Sequence, residues 1–415
     1  MGYVKGLKCL ECGREYDIAP IYVCEFCFGP VDVIYDYKSI KKVLTKKKIG
    51  KREGNLWRYR ELLPIDGDPQ AGLNSGFTPL LRVDKLAKEL GVKTLFIKDD
   101  SVIHPSLSFK DRVVAVALTK AKEFGFDTVA CASTGNLAHS VSAQGARAGF
   151  KRFIFIPASL EQTKIVASLV YEPNLIAVDG NYDDVNRLCS EIGSKYKWAF
   201  VNINVRPFYS EGSKTHGFEI IEQLGWNAPD NVVVPCASGS LLAKIWKGFN
   251  EFKKIGFLKE LRTKVFAAQA TACKPITTAI KQGIDIIKPV KPDPHTISKS
   301  LAIGNPAEGY EALSAVKASG GYGEDVSDGE IIDAMKLLAR TEGIFTETAG
   351  GVTLAVTKKL IESGRIGRDE VTVVCITGNG LKTQEALVNK TTSPYYIKAT
   401  MASFEEALQR INDEK

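Results

Sequence analysis

The chain has 415 residues, 44% of them hydrophobic, and 55 basic against 48 acidic side chains give a formal charge of +7. That length and apolar content supply a sizeable core spread over two or three domains, and a globular enzyme is the base expectation. No apolar run approaches the ~20 residues of a membrane span and no charged-then-apolar leader opens the chain, which excludes a membrane protein and predicts a cytoplasmic one.

Nine cysteines are present. Four form two Cys-x-x-Cys pairs, Cys9 with Cys12 and Cys24 with Cys27, separated by eleven residues and each followed by glycine within two. Two such knuckles converge on one tetrahedral Zn²⁺, whose thiolates supply folding energy that so short a segment lacks in core. Four thiols leave no open position, so this zinc would be structural. The same spacing also suits a ribbon that holds no metal. The other five, Cys131, Cys189, Cys236, Cys273 and Cys375, lie singly in apolar or helical contexts as buried thiols do, so no disulfide framework is expected.

Lys41, Lys42, Lys46, Lys47 and Lys48, with Lys51 and Arg52, form the main basic cluster. A solvated helix face or linker explains them better than a nucleic-acid patch. From 36 to 76 the chain is first basic and then rich in Gly, Pro, Asp and Asn, an arm leading into the body. Gly76, Phe77, Thr78 and Pro79 then turn into a strand.

Short apolar runs predict strands over 94–100, 128–133, 153–156, 175–178, 199–202, 231–235, 265–268 and 371–376. Helical periodicity fills most of the gaps, including 137–148, 308–319, 328–341 and 351–363. This alternation predicts a doubly wound, largely parallel α/β architecture. No Gly-x-Gly-x-x-Gly follows a strand, no Walker loop occurs, and four scattered histidines show no metal spacing. Nicotinamide, P-loop and catalytic-metal chemistry are thereby weakened.

Lys110 falls where the strand over 94–100 gives way to a helix, inside His104-Pro105-Ser106-Leu107-Ser108-Phe109-Lys110-Asp111-Arg112. In open α/β sheets ligands bind at such junctions. A lysine there serves as a surface charge, a phosphate clamp, or an amine ready to form a Schiff base. Three other strand ends carry polar turns: Ser133-Thr134-Gly135-Asn136, Cys236-Ala237-Ser238-Gly239-Ser240, and Thr377-Gly378-Asn379-Gly380-Leu381-Lys382. Each reads as an ordinary helix cap or as backbone N–H groups and hydroxyls facing an anion.

In this order the motifs resemble the tryptophan-synthase-like family of pyridoxal-phosphate enzymes, fold type II. The His-Pro-x-x-Ser-Phe-Lys-Asp-Arg form and Thr-Gly-x-Gly-Leu-Lys are most similar to its threonine synthase branch. The resemblance covers roughly 76–387 and implies two doubly wound open-sheet domains behind a zinc-ribbon-like segment. The expected division is 1–37 for that segment, 38–112 for the arm and the first part of the large domain, 113–211 for a small α/β domain, and 212–415 for the rest of the large domain.

It further implies that Lys110, beside Phe109, carries pyridoxal 5'-phosphate. Asn136 would lie by its phenolic oxygen, Ala237, Ser238, Gly239 and Ser240 around its phosphate, and Thr377 at the ring nitrogen. Ser133, Thr134 and Gly135 would hold the substrate carboxylate, and Asn204, Arg206 and Lys214 a distal phosphate. Ile303-Gly304-Asn305-Pro306-Ala307 would line the cleft. Glu347-Thr348-Ala349-Gly350-Gly351 departs from the Glu-Pro-Ala-Ser form common in the family, which bears on side-chain specificity.

The implied reaction is conversion of O-phospho-L-homoserine and water to L-threonine and phosphate by a homodimer, a small phosphorylated amino acid being its partner. β-Replacement on O-phosphoserine, threonine dehydration, and a non-catalytic zinc-ribbon binding protein are the rival readings.

Overall fold

The computed structural model describes residues 2–413 apart from 73, 134, 159–161 and 181. Its strands are β1 (Val4–Cys9), β2 (Glu15–Tyr16), β3 (Val31–Tyr35), β4 (Leu80–Arg82), β5 (Thr94–Asp99), β6 (Thr128–Ala132), β7 (Lys151–Pro157), β8 (Asn174–Val178), β9 (Ala199–Phe200), β10 (Asn231–Pro235), β11 (Lys264–Ala270), β12 (Gly323–Val326) and β13 (Val371–Ile376).

They form three sheets. A six-stranded sheet runs β12-β11-β10-β13-β5-β4, parallel except for β4. A four-stranded parallel sheet runs β8-β7-β6-β9. An antiparallel ribbon, β2-β1-β3, holds the amino terminus. The Val-rich β10 and β13 occupy the middle of the large sheet and are buried nearly throughout, as strands covered by helices on both faces must be. Because β10, β13 and β5 are adjacent, the turns that leave their carboxyl ends meet in one place.

Every predicted strand is present. The one over 199–202 is cut to Ala199–Phe200 because the Asn204 side chain accepts from Phe200 N at 2.9 Å and donates to Trp198 O at 3.0 Å, turning the chain. The apolar pattern missed β12, whose Gly-Glu-Asp-Val sequence carries two acids. It pairs only with β11, and its Asp325 is held by Lys274 and Lys281 at 2.9 and 2.6 Å. The helix expected over 351–363 begins earlier, at Thr348–Glu362, with Glu347 at its N-cap.

A fully buried charge cluster lies beneath the end of β5. Arg112 grips both Asp100 oxygens at 2.7 Å, meets Glu219 Oε2 at 2.8 Å and donates to Thr78 Oγ1 at 3.0 Å. Lys98 reaches Glu219 at 2.6 Å, and His216 Nδ1 lies 3.1 Å from Asp100. Burial alone would raise the Asp100 carboxyl, but Arg112 and His216 beside it hold it well below the usual range. The cluster ties the lysine-bearing helix Lys110–Glu123 to β5 and to the helix Lys214–Gln223.

The ribbon docks through a second set of ion pairs. Asp32 lies between Lys244 and Lys247, and Tyr35 donates to Glu211 Oε2 at 2.7 Å. Beside this seam a cavity of about 600 Å³ is lined by Leu10, Tyr22 and Phe28 of the ribbon and by Trp246, Tyr310 and Glu311 of the body. Glu311 Oε2 is buried there without a hydrogen-bond partner. Burial, with Glu308 and Asp32 nearby, pushes this carboxyl up to about 7.

Two outcomes follow from these charges. Arg112→Ala removes the cation shared by two buried carboxylates, leaving Glu219 only Lys98 and Asp100 only His216 as ionisable partners, and is expected to cost about 3–5 kcal/mol, read by chemical denaturation. Glu311 binds its proton more tightly folded than unfolded, so its contribution is present below pH ~4.5 and lost as pH rises through about 7. Glu311→Gln should therefore raise the melting temperature at pH 8 by about 2–4 °C and leave it unchanged at pH 4.

Candidate active site

Lys110 is the first residue of the helix Lys110–Glu123. The turn before it is strapped to the end of β13: Phe109 N donates to Thr377 O at 2.9 Å, Asn379 N donates to Leu107 O at 3.0 Å, and Ser108 bridges Gly378. Asp111 fixes the same turn from inside. Its carboxylate accepts from Ser106 N at 2.7 Å, Ser106 Oγ at 2.8 Å and Ser140 Oγ at 2.6 Å. The lysine is therefore anchored on both sides while its amine points away. Nζ donates to Tyr209 Oη at 3.0 Å and lies 4.6 Å from the centre of the Phe109 ring.

Asn136 opens the helix Asn136–Arg147 after β6, and its Nδ2 donates to Glu347 Oε2 at 2.8 Å. Thr377, at the end of β13, donates through Oγ1 to the other oxygen of Glu347 at 3.1 Å. The structure thus brings Asn136, Thr377 and the Lys110 turn together around one buried carboxylate. Burial raises that carboxyl, although Asn136 and Lys382 favour its charged form. Lys382 Nζ donates to His139 Nδ1 at 3.0 Å, and burial lowers its proton affinity. Pairing Asn136 and Thr377 to Glu347 was not legible in the sequence, which showed only an unusual Glu-Thr-Ala-Gly-Gly.

The turn after β10 has the form of an anion cradle. Gly239 has φ 94°, and a Cβ there would lie 2.4 Å from Glu308 O, so both the conformation and the space require glycine. Ser240 begins the fifteen-residue helix Ser240–Lys254, which has no side-chain cap. Its Oγ is buried with no hydrogen-bond partner. A buried orphan hydroxyl and uncapped N–H groups at a helix amino terminus fit a phosphate. Ala237 and Ser238 complete the turn, and Ser238 O accepts from Glu308 N at 2.9 Å, which docks the Ile303–Ala307 segment beside it.

Other predicted residues fall differently. Ser133 follows β6 and accepts from Gly135 N at 3.3 Å; Thr134 lies outside the described residues. Lys214, expected to meet a substrate phosphate, is instead fully buried, 2.5 Å from Glu211 and 3.0 Å from Glu251. It belongs to the ribbon seam, because its helix packs against Ser240–Lys254. Asn204 likewise serves the turn after β9 instead of a ligand. Arg206 is forked onto Glu308 at 2.8 and 2.6 Å. Tyr209 and Glu308 were not singled out from the sequence.

In the ribbon, the Sγ atoms of Cys9, Cys12, Cys24 and Cys27 all lie within 4.8 Å of one another. Cys9 and Cys27 are 3.4 Å apart, and Cys12 and Cys24 3.6 Å. Four thiolates bound at ~2.3 Å in a tetrahedron sit ~3.8 Å from each other, so this set fits a closed tetrahedral metal site.

The amino-terminal residues 8–31 match a model of the NinF protein. A curated threonine synthase of Methanocaldococcus jannaschii is 40% identical over 97% of this chain and 99% of its own length. Those of Methanosarcina acetivorans (40% identity; 97% and 98% covered) and a Bacillus species (36%; 87% and 97%) are also similar. Among solved structures, threonine deaminase isoform 2 of Solanum lycopersicum aligns with TM-score 0.63 at 23% identity, covering 75% of this chain and 81% of that one. Diaminopropionate ammonia lyase of Escherichia coli aligns with TM-score 0.63 at 20% identity, covering 75% and 86%. Residues 72–378, which hold Lys110, the six- and four-stranded sheets, the polar turns after β6 and β10 and the start of the one after β13, match the family model described as pyridoxal-phosphate dependent enzyme, and the chain belongs to that family.

Proposed function

We propose that the protein converts O-phospho-L-homoserine and water to L-threonine and phosphate. The observation that carries this is Lys110 at a strand-to-helix junction, with Asn136 and Thr377 sharing Glu347 beside it and an uncapped helix amino terminus after the neighbouring β10, in a chain 40% identical along its length to curated threonine synthases. Pyridoxal phosphate, when bound, supplies an electron sink for charge developing at Cα and Cβ of the substrate.

The chain's own groups then have separate tasks. Lys110 holds the cofactor and afterwards moves protons at Cα and Cβ. Ser240, with the N–H groups of Ala237, Ser238 and Gly239, binds the cofactor's phosphate. Thr377 presents a hydroxyl to the ring nitrogen and so does not favour its protonation, while Asn136 donates toward the phenolic oxygen. Ser133, Thr134 and Gly135 receive the substrate carboxylate. Arg206 receives the phosphate that leaves, for which it must exchange its fork to Glu308 for a second dianion. Lys214 takes no part, being enclosed.

The four ribbon cysteines hold a structural zinc. The enzyme works as a homodimer in the cytoplasm, its small domain spanning 113–211. Among the described residues no helix is long and apolar enough to cross a membrane.

The activity is tested on purified, cofactor-loaded protein by phosphate release from O-phosphohomoserine or O-phosphoserine, with and without sulfide or sulfite. Threonine from phosphohomoserine alone is expected, and turnover only of phosphoserine with a sulfur nucleophile would replace the reaction while keeping the cofactor. Lys110→Ala should lose both the yellow colour and at least 10³-fold in kcat. Metal analysis should return one zinc per chain, and its removal by a chelator should expose residues 2–35 to protease, since the ribbon loses the bonds that close it.

A further inference from the structure

Among the described residues, Tyr209 Oη is the one side-chain acceptor of the Lys110 amine, at 3.0 Å, and is itself buried. It sits on a helix of only six residues, Arg206–Glu211, too short to hold its own position. Its neighbours hold it instead. At the amino end Arg206 is forked onto Glu308. Just past the carboxyl end Gly212 packs so tightly on the lysine helix that a Cβ would lie 2.5 Å from Arg112 O.

The strongest anchor is Glu211, two residues beyond Tyr209. Its carboxylate accepts from Tyr35 Oη at 2.7 Å, Lys244 at 2.7 Å and Lys247 at 2.9 Å, and pairs with Lys214 at 2.5 Å. Lys244 and Lys247 also clasp Asp32. Tyr35 and Asp32 belong to β3, so the cysteine ribbon forms one wall of the clamp that aims Tyr209 at Lys110.

We infer that Tyr209 is a catalytic residue, and that the ribbon serves the reaction by fixing it. When Lys110 takes a proton from substrate carbon, its neutral amine becomes an ammonium. Tyr209 Oη accepts a hydrogen bond from that ammonium and keeps it aimed at the carbon that next receives the proton. No other bond forms or breaks, and the hydroxyl keeps its own proton. Phe cannot accept that bond but fills the same space.

This rests on the proposed function, and the test separates the two. Wild type, Tyr209→Phe, Tyr35→Phe and the double variant are compared for phosphohomoserine kinetics, for the pH titration of the bound cofactor's absorbance band, and for labelling of Lys110 by an amine-reactive reagent in cofactor-free protein. Tyr209→Phe is expected to lower kcat about 10- to 100-fold with KM changed less than about threefold, to shift the band's titration, and to change the labelling rate at least about threefold. Tyr35→Phe should lower kcat about threefold or more, and the double variant should be no worse than Tyr209→Phe alone.

The inference is overturned by a Tyr209→Phe protein that keeps kcat within about twofold with unaltered band and labelling, or by losses that simply multiply in the double variant. If wild type turns over another substrate, the function reading fails, while band and labelling still decide the role of Tyr209. If Tyr209→Phe does not fold, an unchanged kcat and labelling rate in Tyr35→Phe overturns the inference and a loss in both supports it.

Discussion

The guanidinium of Arg112 is the contact on which the active end of this molecule depends. A fully buried cation is costly unless its fork is matched, and here Asp100 and Glu219 match it with two carboxylates while Lys98 and His216 complete the cluster. Two residues before Arg112 stands Lys110, so whatever fixes the arginine fixes the start of that helix. Asp111 fixes it again through Ser106 and Ser140. In Lys-Asp-Arg the lysine is thus followed by two anchors pointing to opposite supports.

Under the proposed function such anchoring has a chemical purpose. A lysine that binds a cofactor and then moves protons must swing its amine while its backbone stays still, because a misplacement of about 1 Å at a reacting atom costs orders of magnitude in rate. The supports come from far apart in sequence: Asp100 after β5, Glu219 on a later helix, and Thr377 at the end of β13. Adjacency of β13 and β5 in the sheet brings the first and last of these together, and the helix Lys214–Gln223 supplies Glu219.

On the far side of the site the cysteine ribbon is more than an appendage. Its β3 carries Asp32 and Tyr35 into a buried seam with Glu211, Lys244 and Lys247, in which acids and lysines alternate. Burial there disfavours every charge taken singly, yet the lysines hold Glu211 well below the usual carboxylate range. The seam lies against the short helix whose other side reaches Lys110, which places the amino-terminal segment one helix away from that lysine. Beyond it, the cavity of about 600 Å³ that holds Glu311 borders the same seam and includes none of residues 236–240 in its lining.

What the sequence determined by itself was local: the alternating apolar runs, the knuckle spacing of Cys9, Cys12, Cys24 and Cys27, the glycines of the polar turns, and a lysine at a strand-to-helix junction. These are legible because each depends on neighbours within a few residues, through periodicity, turn sterics or ligand spacing. The glycine turn and following helix at residues 236–240 were legible for the same reason, since Gly239 at φ 94° and the helix that follows are both local features. Charged side chains were another matter. Lys214 looked as free as Arg206, and Asn204 looked like a ligand, because a cation or amide in sequence does not show which distant carboxylate or backbone group it will meet. Glu347 between Asn136 and Thr377, and Tyr209 against Lys110, bridge separations of 211, 30 and 99 residues. Only the packed tertiary structure decides such pairs, because burial removes water as the alternative partner and each polar group must then find one from whatever the fold brings within reach.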